Sequence, residues 1–357
     1  MFCLTKKMFS NIIKTGIKNL LELVMITTFL ATLNPMLTLF FCIVVGFILS
    51  KTKILAASAS NVMAKLEVCA FCPALSFYAM ANYFTIDNMG KYATNLVIAV
   101  LVVCLVVPLA CLLARFFVRQ NVYERNVYKY ALAISNMGYV GDPLVDAILG
   151  GQGLAFYKMY CLPMNIVIYT WGVGILVPSD KKQKKSQLLN LVNAPTIAML
   201  LGALVGVLGI SNFVLGSSSS PTFFGSALSA LKACVGPVAM LIAGATVAKY
   251  PIKPMLTNIK VYIATIARLI ILPAITVAFV FGLMVIARLA FNMYIDNIVL
   301  HIVYFCAGCP LGLNTVVFPE AYGGDPSTGS SMAMVSHSLC VIVIPVMYAL
   351  ICLLFPL

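Results

Sequence analysis

Ten apolar stretches follow one another along this chain, with soft edges at 35–50, 62–81, 92–114, 130–149, 155–177, 192–210, 226–248, 259–287, 297–318 and 331–355. Each comes close to the ~20 residues that a helix needs to cross the hydrocarbon core of a bilayer. Of the 357 residues, 62% are hydrophobic and only 9% are charged, and the mean hydropathy is +1.05. A soluble domain is about half apolar and about a quarter charged, so no soluble core of this size could hide so much apolar surface. The runs are also too long, and too little alternating, for the strands of a membrane barrel. The expected fold class is all-α integral membrane, with about ten transmembrane helices in a multi-pass protein of the inner cell membrane.

The net charge of +13 would suit a nucleic-acid partner if it were clustered, but its placement excludes that reading. Lys and Arg sit in short loops, the signature that orients membrane proteins. The loops after odd-numbered stretches hold Lys51, Lys53, Arg115, Arg119, Arg125, Lys129, Lys181, Lys182, Lys184, Lys185, Lys249, Lys253 and Lys260. The other side holds Lys91 and Arg288, together with the tail lysines Lys6, Lys7, Lys14 and Lys18. The first set is assigned to the cytoplasm, and ten spans then put both termini outside, an orientation that the basic tail opposes.

Residues 1–33 read as a segment of their own. Phe9, Ile12, Ile13, Ile17, Leu20, Leu21 and Val24 recur at helical spacing with lysines between them, the pattern of an amphipathic helix lying in the interface. No small-residue cleavage site follows to make it a leader. Asn34-Pro35 is expected to end it, because proline disfavours helix in the residue before it. The hydrophilic stretch 178–191 divides the rest into a first half, 34–177, and a second half, 192–357. The halves share their proline punctuation in order: Pro35 and Pro195, Pro73 and Pro237, Pro108 and Pro273, Pro143 and Pro310, Pro163 and Pro345. Five spans per half is an odd number, so the second half enters the bilayer from the opposite side. That is the inverted repeat of secondary transporters, whose site lies at mid-membrane between the halves.

Two stretches look broken. In Ser135–Leu144, Gly138 and Gly141 loosen the helix and Pro143 interrupts it; Asp142-Pro143 then reads as a new start, with Asp as cap and Pro at the first helical position. In Cys306–Thr315, Gly308 and Gly312 bracket Pro310, and Asn314 follows one turn later. Freed backbone groups at membrane depth must find partners or line a cavity. If both stretches unwind and cross, two helix N-termini point at one spot and favour a carboxylate-bearing ligand. Asn136 and Asn314 would orient it by hydrogen bonds.

At these segments the chain resembles the auxin efflux carrier family, whose prokaryotic members resemble malate and other organic-anion permeases. The stretches that carry the resemblance are, in chain order, SNMGYVGDPL, NAPTIAMLLGALVGVLGI, VGPVAMLIAGATVAK, ARLIILP and CAGCPLGLNTVVFPEAYGGD, and the resemblance covers nearly the whole chain from residue 34. The resemblance implies two inverted five-helix repeats, a crossover of broken helices four and nine, and elevator-type transport. It places Asn136, Pro143, Pro310 and Asn314 at the crossover. Asp142 departs from the family pattern, which has an apolar residue there. It is either a plain N-cap or a carboxyl that couples a proton or sodium to substrate movement, with Asp146 one turn on along the same face.

Arg268, inside the eighth stretch, either forks a substrate carboxylate or snorkels to a headgroup. Lys65 and Glu67 are expected at the interface, Lys158 and Lys232 as snorkelling anchors near helix ends, and His301 and His337 as structural residues. The twelve cysteines are scattered through apolar runs as small hydrophobes; the Cys69/Cys72 and Cys306/Cys309 spacings lack a histidine cluster. There is no Ser/His/Asp set, no HExxH and no phosphate-binding GxxxxGK[ST], so no enzyme activity and no cofactor are expected, and the driving force is a gradient. The leading reading is a secondary transporter of a small organic anion such as a carboxylate, embedded in lipid, with a homodimer allowed. The rival is a cation/proton antiporter of similar fold that uses Asp142.

Overall fold

In a computed structural model the chain is almost wholly helical, and among the described residues there is no β-strand. The structure describes residues 2–56, 58–176, 193–217, 219–250, 257–322 and 324–357, without the side chains of 2–22 and 320–322. The basic linker 178–191, Lys253 and the side chains of the N-terminal amphipathic pattern before Leu23 therefore lie outside the described residues.

The helices longer than five residues, in chain order, are α1 Phe2–Lys51, α2 Ala59–Tyr83, α3 Met89–Phe117, α4 Val122–Ala133, α5 Met137–Leu176, α6 Ala194–Val207, α7 Phe223–Val247, α8 Ile259–Phe291, α9 Ile298–Gly308, α10 Asn314–Tyr322 and α11 Ser327–Leu354. Seven helical runs among the described residues are long and apolar enough to cross a membrane, and α6 and α9 are shorter apolar helices. Phe41, Val97, Phe116, Leu200 and Ile342 stand exposed on helix faces, as expected where the surrounding solvent is hydrocarbon rather than water.

Two boundaries differ from the sequence reading. Helix α1 runs straight through Pro35, so no break separates residues 1–33 from the first membrane helix. A single proline removes one backbone bond, and a helix of this length keeps the rest. From Met137 onward the stretches expected as the fourth and fifth spans are likewise one helical run, α5, but it is interrupted at Gly150, which sits at φ 69° and ψ −176°. Tyr157 and Lys158 on one side of Gly150 touch Met137 and Asp142 on the other, so the chain doubles back there. Only glycine takes such a conformation without strain.

Proline accounts for three of the four π-helical turns among the described residues, the exception being Ile168–Gly172. Three five-residue π-helical turns, Glu67–Phe71, Met137–Gly141 and Ala267–Ile271, each end one residue before an X-Pro pair: Cys72-Pro73, Asp142-Pro143 and Leu272-Pro273. A proline ring clashes with the carbonyl four residues back and offers that carbonyl no N–H. A π turn widens the helix at that point and moves the carbonyl out of the ring's way, so the helix continues instead of ending. Such turns recur at functional sites.

Close packing relies on small residues, as expected where lipid removes the hydrophobic drive for helix association. A Cβ at Gly244 of α7 would fall on the backbone of Ile43 and Phe47 in α1. We expect Gly244→Leu to cost ~1–3 kcal/mol or more by overpacking, read as a lowered melting temperature of the purified protein. Gly282→Leu is the control, because a Cβ at Gly282 meets nothing within 4 Å. Equal melting of the two variants would remove the close α1–α7 contact from the account.

Candidate functional site

The backbone is unwound in two places, between α4 and α5 at 134–136 and between α9 and α10 at 309–313. These segments meet. Ser135 and Leu311 form an isolated antiparallel bridge. The Asn136 N–H donates to the Pro310 carbonyl at 2.7 Å, and the Gly312 N–H donates to the Ile134 carbonyl at 3.1 Å. The last-turn carbonyls of the broken helices, which lack intrahelical donors, are also provided for. Arg268 Nη1 donates to Leu132 O at 3.0 Å, and Ser135 Oγ donates to Cys306 O at 2.6 Å. The Tyr157 hydroxyl donates to Met137 O at 3.0 Å. Irregular backbone inside a membrane persists only where its polar groups are satisfied in this way or line a cavity.

Beside the crossing lies a cavity of about 180 Å³. Met137, Gly138 and Tyr139, the first turn of α5, form part of its wall, and Leu313 and Asn314 at the start of α10 form another. The first N–H groups of a helix have no acceptor within it and carry the positive end of its dipole. Two such ends therefore border one space.

Asn136 and Asn314 both line the cavity, and each is held from behind. Asn314 Nδ2 donates to the Tyr130 hydroxyl at 3.0 Å. Asn136 Nδ2 lies 2.9 Å from His337 Nε2, while His337 Nδ1 lies 2.8 Å from the Ala333 carbonyl. A carbonyl can only accept, so in neutral His337 the proton is on Nδ1 and Nε2 accepts from Asn136. His337 thereby fixes the Asn136 amide, a positioning role that its lone place in the sequence does not reveal.

Asp142 is not a cap. The helix has already begun at Met137, and Asp142 has helical angles with no capping bond at the residue before it. Its carboxylate is engaged by the Lys158 ammonium in an ion pair whose side chains are 3% and 12% exposed respectively, and both residues line the cavity. Lys158 is thus no snorkelling anchor. The two residues are equidistant from Gly150, where α5 doubles back, and that symmetry is the signal that pairs them. Asp146 does not reach the cavity; it accepts from Lys232 Nζ at 3.3 Å, whose ammonium also stands over the Tyr78 ring.

The remaining sequence-derived residues do not line the cavity. Arg268 is buried on the far side of the crossing, against Leu132, and is not part of the cavity wall. A Cβ at Gly141 would collide with the Tyr157 hydroxyl, and Pro143 packs against Gly236. Pro310 contributes its carbonyl to the crossing. Glu67, expected at the interface, is fully buried, and His301 is held by Tyr348 and the Phe355 carbonyl. Among the described residues no group of three or more His, Cys, Asp or Glu is placed to hold a metal ion.

A search of curated proteins finds no match to this chain. The family model described as membrane transport protein matches residues 31–348, from the middle of α1 to near the end of α11. A chain matched over nearly its whole length, and helical with several membrane-length apolar runs, belongs to that family of multi-pass membrane transporters, the auxin efflux carrier family.

Proposed function

We propose that this protein is a gradient-driven secondary transporter of a small organic anion such as a carboxylate, working by elevator-type alternating access in the inner cell membrane. In this reading the chain crosses the bilayer ten times, with the arms of α5 on either side of Gly150 counted separately and the pairs α4 with the first arm of α5 and α9 with α10 each forming one broken span. The two five-helix halves are inverted repeats, and the crossing is their shared centre.

The observation that carries the proposal is the cavity at the crossing, bordered by two helix starts and by Asn136 and Asn314. The positive dipole ends of two helix starts favour a negative ligand. The antiporter reading needs Asp142 free to exchange a cation, and Lys158 already occupies it. The anion reading is therefore preferred, and proton-driven cation flux in vesicles would reverse that preference.

The test is a thermal-shift screen of the purified protein against small mono- and dicarboxylates. We expect at least one to raise the melting temperature. Asn136→Ala and Asn314→Ala should each weaken its binding roughly ten- to a hundredfold, the loss of one hydrogen bond to a charged group. Lys260→Ala, exposed at the start of α8, should leave binding unchanged. Equal loss in all three variants would undo the site assignment.

A further inference from the structure

Behind the wall of this cavity lies a carboxyl group that the crossing does not use. Glu67 opens the π-helical turn of α2 and is 0% exposed. Cys72, one turn on and part of the cavity wall, stands with its Sγ 3.4 Å from Glu67 Oε1, to which the thiol donates. Oε2 is buried and has no hydrogen-bond partner.

The surroundings decide the charge state. From α5, Asp142 and Lys158 act on Glu67 at electrostatic range, and Tyr139 is close enough to feel it. From α7, which packs on the same turn, the one charged side chain is Lys232, held by Asp146. Helix α6 packs there too and carries no titratable residue. On α2 itself, Lys65 is exposed. The nearest cation is therefore Lys158, and it is engaged with Asp142. An ionised carboxylate buried without a partner costs far more than the ~1–3 kcal/mol of a neutral group with one unfilled acceptor. Two carboxyls and one ammonium sum to zero only when one carboxyl keeps its proton, and Glu67 is the one without a cation.

We infer that Glu67 is a proton-binding site set behind the cavity wall, next to Cys72, holding its proton in the conformation seen here. The step is a plain protonation, carboxylate plus proton giving carboxylic acid, with no other bond changed. Its consequence for transport rests on the anion reading above. An anion entering beside Lys158 adds negative charge, makes the Glu67 proton harder to lose, and is itself bound better when that proton is present; the linkage is reciprocal. Proton and anion then bind together, and anion affinity falls as rising pH strips Glu67.

Infrared spectroscopy of the full chain in lipid vesicles tests the site without a substrate. At neutral pH the wild type should show a protonated-carboxyl C=O band that Glu67→Gln abolishes and Asp146→Asn keeps. A wild type lacking the band, or a band unchanged in Glu67→Gln, overturns the inference. Should Glu67→Gln not assemble, Glu67→Asp must move the band in frequency; an unmoved band overturns the inference equally. Failure of the anion reading shows elsewhere, as no stabilisation by any carboxylate in the thermal screen, and leaves the band in place. Where a carboxylate does stabilise, its effect should weaken with rising pH in the wild type and be level with pH in Glu67→Gln; a level wild-type profile overturns the linkage.

Discussion

Replacing Lys158 by methionine is expected to destabilise the protein by ~3–5 kcal/mol, the cost of leaving one partner of a buried ion pair uncompensated. Asp142 would keep its place on the cavity wall, 3% exposed, with no cation beside it. The sign of the pH dependence identifies the cause. A stranded carboxyl escapes its penalty by taking up a proton, so the deficit of Lys158→Met should shrink as pH falls. In Asp142→Asn the stranded group is the ammonium, which escapes by losing a proton, so that deficit should shrink as pH rises. The second variant should also be the milder, because Glu67 lies within electrostatic range of Lys158 and can take it as a partner. The double variant Asp142→Leu/Lys158→Met should recover most of the loss, since buried pairs are often replaceable by packed apolar residues. Melting temperatures of the purified variants across pH decide the matter. Parallel pH profiles for the two single variants would mean that the pair is not the buried, mutually dependent contact described here.

The apolar runs made the membrane-embedded helical class legible because length and composition alone demand it. The two broken segments were legible for a related reason: glycine, proline and asparagine crowd together at membrane depth, where interrupted backbone is costly. What failed to show was which side chains those breaks bring together. Pro35 and Pro143 are both prolines inside apolar runs, yet α1 passes through the first unbroken while a π turn precedes the second. Whether a helix absorbs a proline depends on the neighbours that accept the displaced carbonyl, and neighbours are tertiary information. Of the two readings of Asp142, the cap rests on Asp-Pro as a helix-start signature, but that rule assumes the helix begins there; it begins at Met137, where the chain leaves the crossing. Lys158 and Glu67 were placed at the interface by distance from the edges of their apolar runs. The fold at Gly150 instead sets Lys158 against Asp142, and the burial of the α2 turn sets Glu67 within electrostatic range of both. Arg268 drew attention as a buried cation in search of an anion, when its structural partner is the Leu132 carbonyl at a broken helix end.

Gly312 offers the sharpest test of the crossing itself. Its N–H donates to the Ile134 carbonyl at 3.1 Å, and a Cβ built on it would lie 3.3 Å from the Ser135 carbonyl oxygen and 3.5 Å from Ile134. Gly312→Ala therefore needs the neighbours to give by only a few tenths of an ångström and keeps the N–H; we expect a loss of at most ~1 kcal/mol, at the mild end of overpacking. Gly312→Pro removes the donor and sets a ring carbon where the hydrogen bond was. The Ile134 carbonyl is then stranded in a place without water, costing ~1–3 kcal/mol, and overpacking adds a similar amount. The sum, several kcal/mol, is a large part of what holds an ordinary domain folded. Because the same pairing sets the start of α10, the proline variant should also lose carboxylate binding in the thermal screen, while the alanine variant keeps it. The alternative is that α4–α5 and α9–α10 are held apart from the crossing by the surrounding helices alone. In that case one hydrogen bond more or less would matter little, and the proline and alanine variants would melt within about a degree or two of each other, since a difference of 1 kcal/mol already moves the midpoint of a large domain by ~2–4 °C.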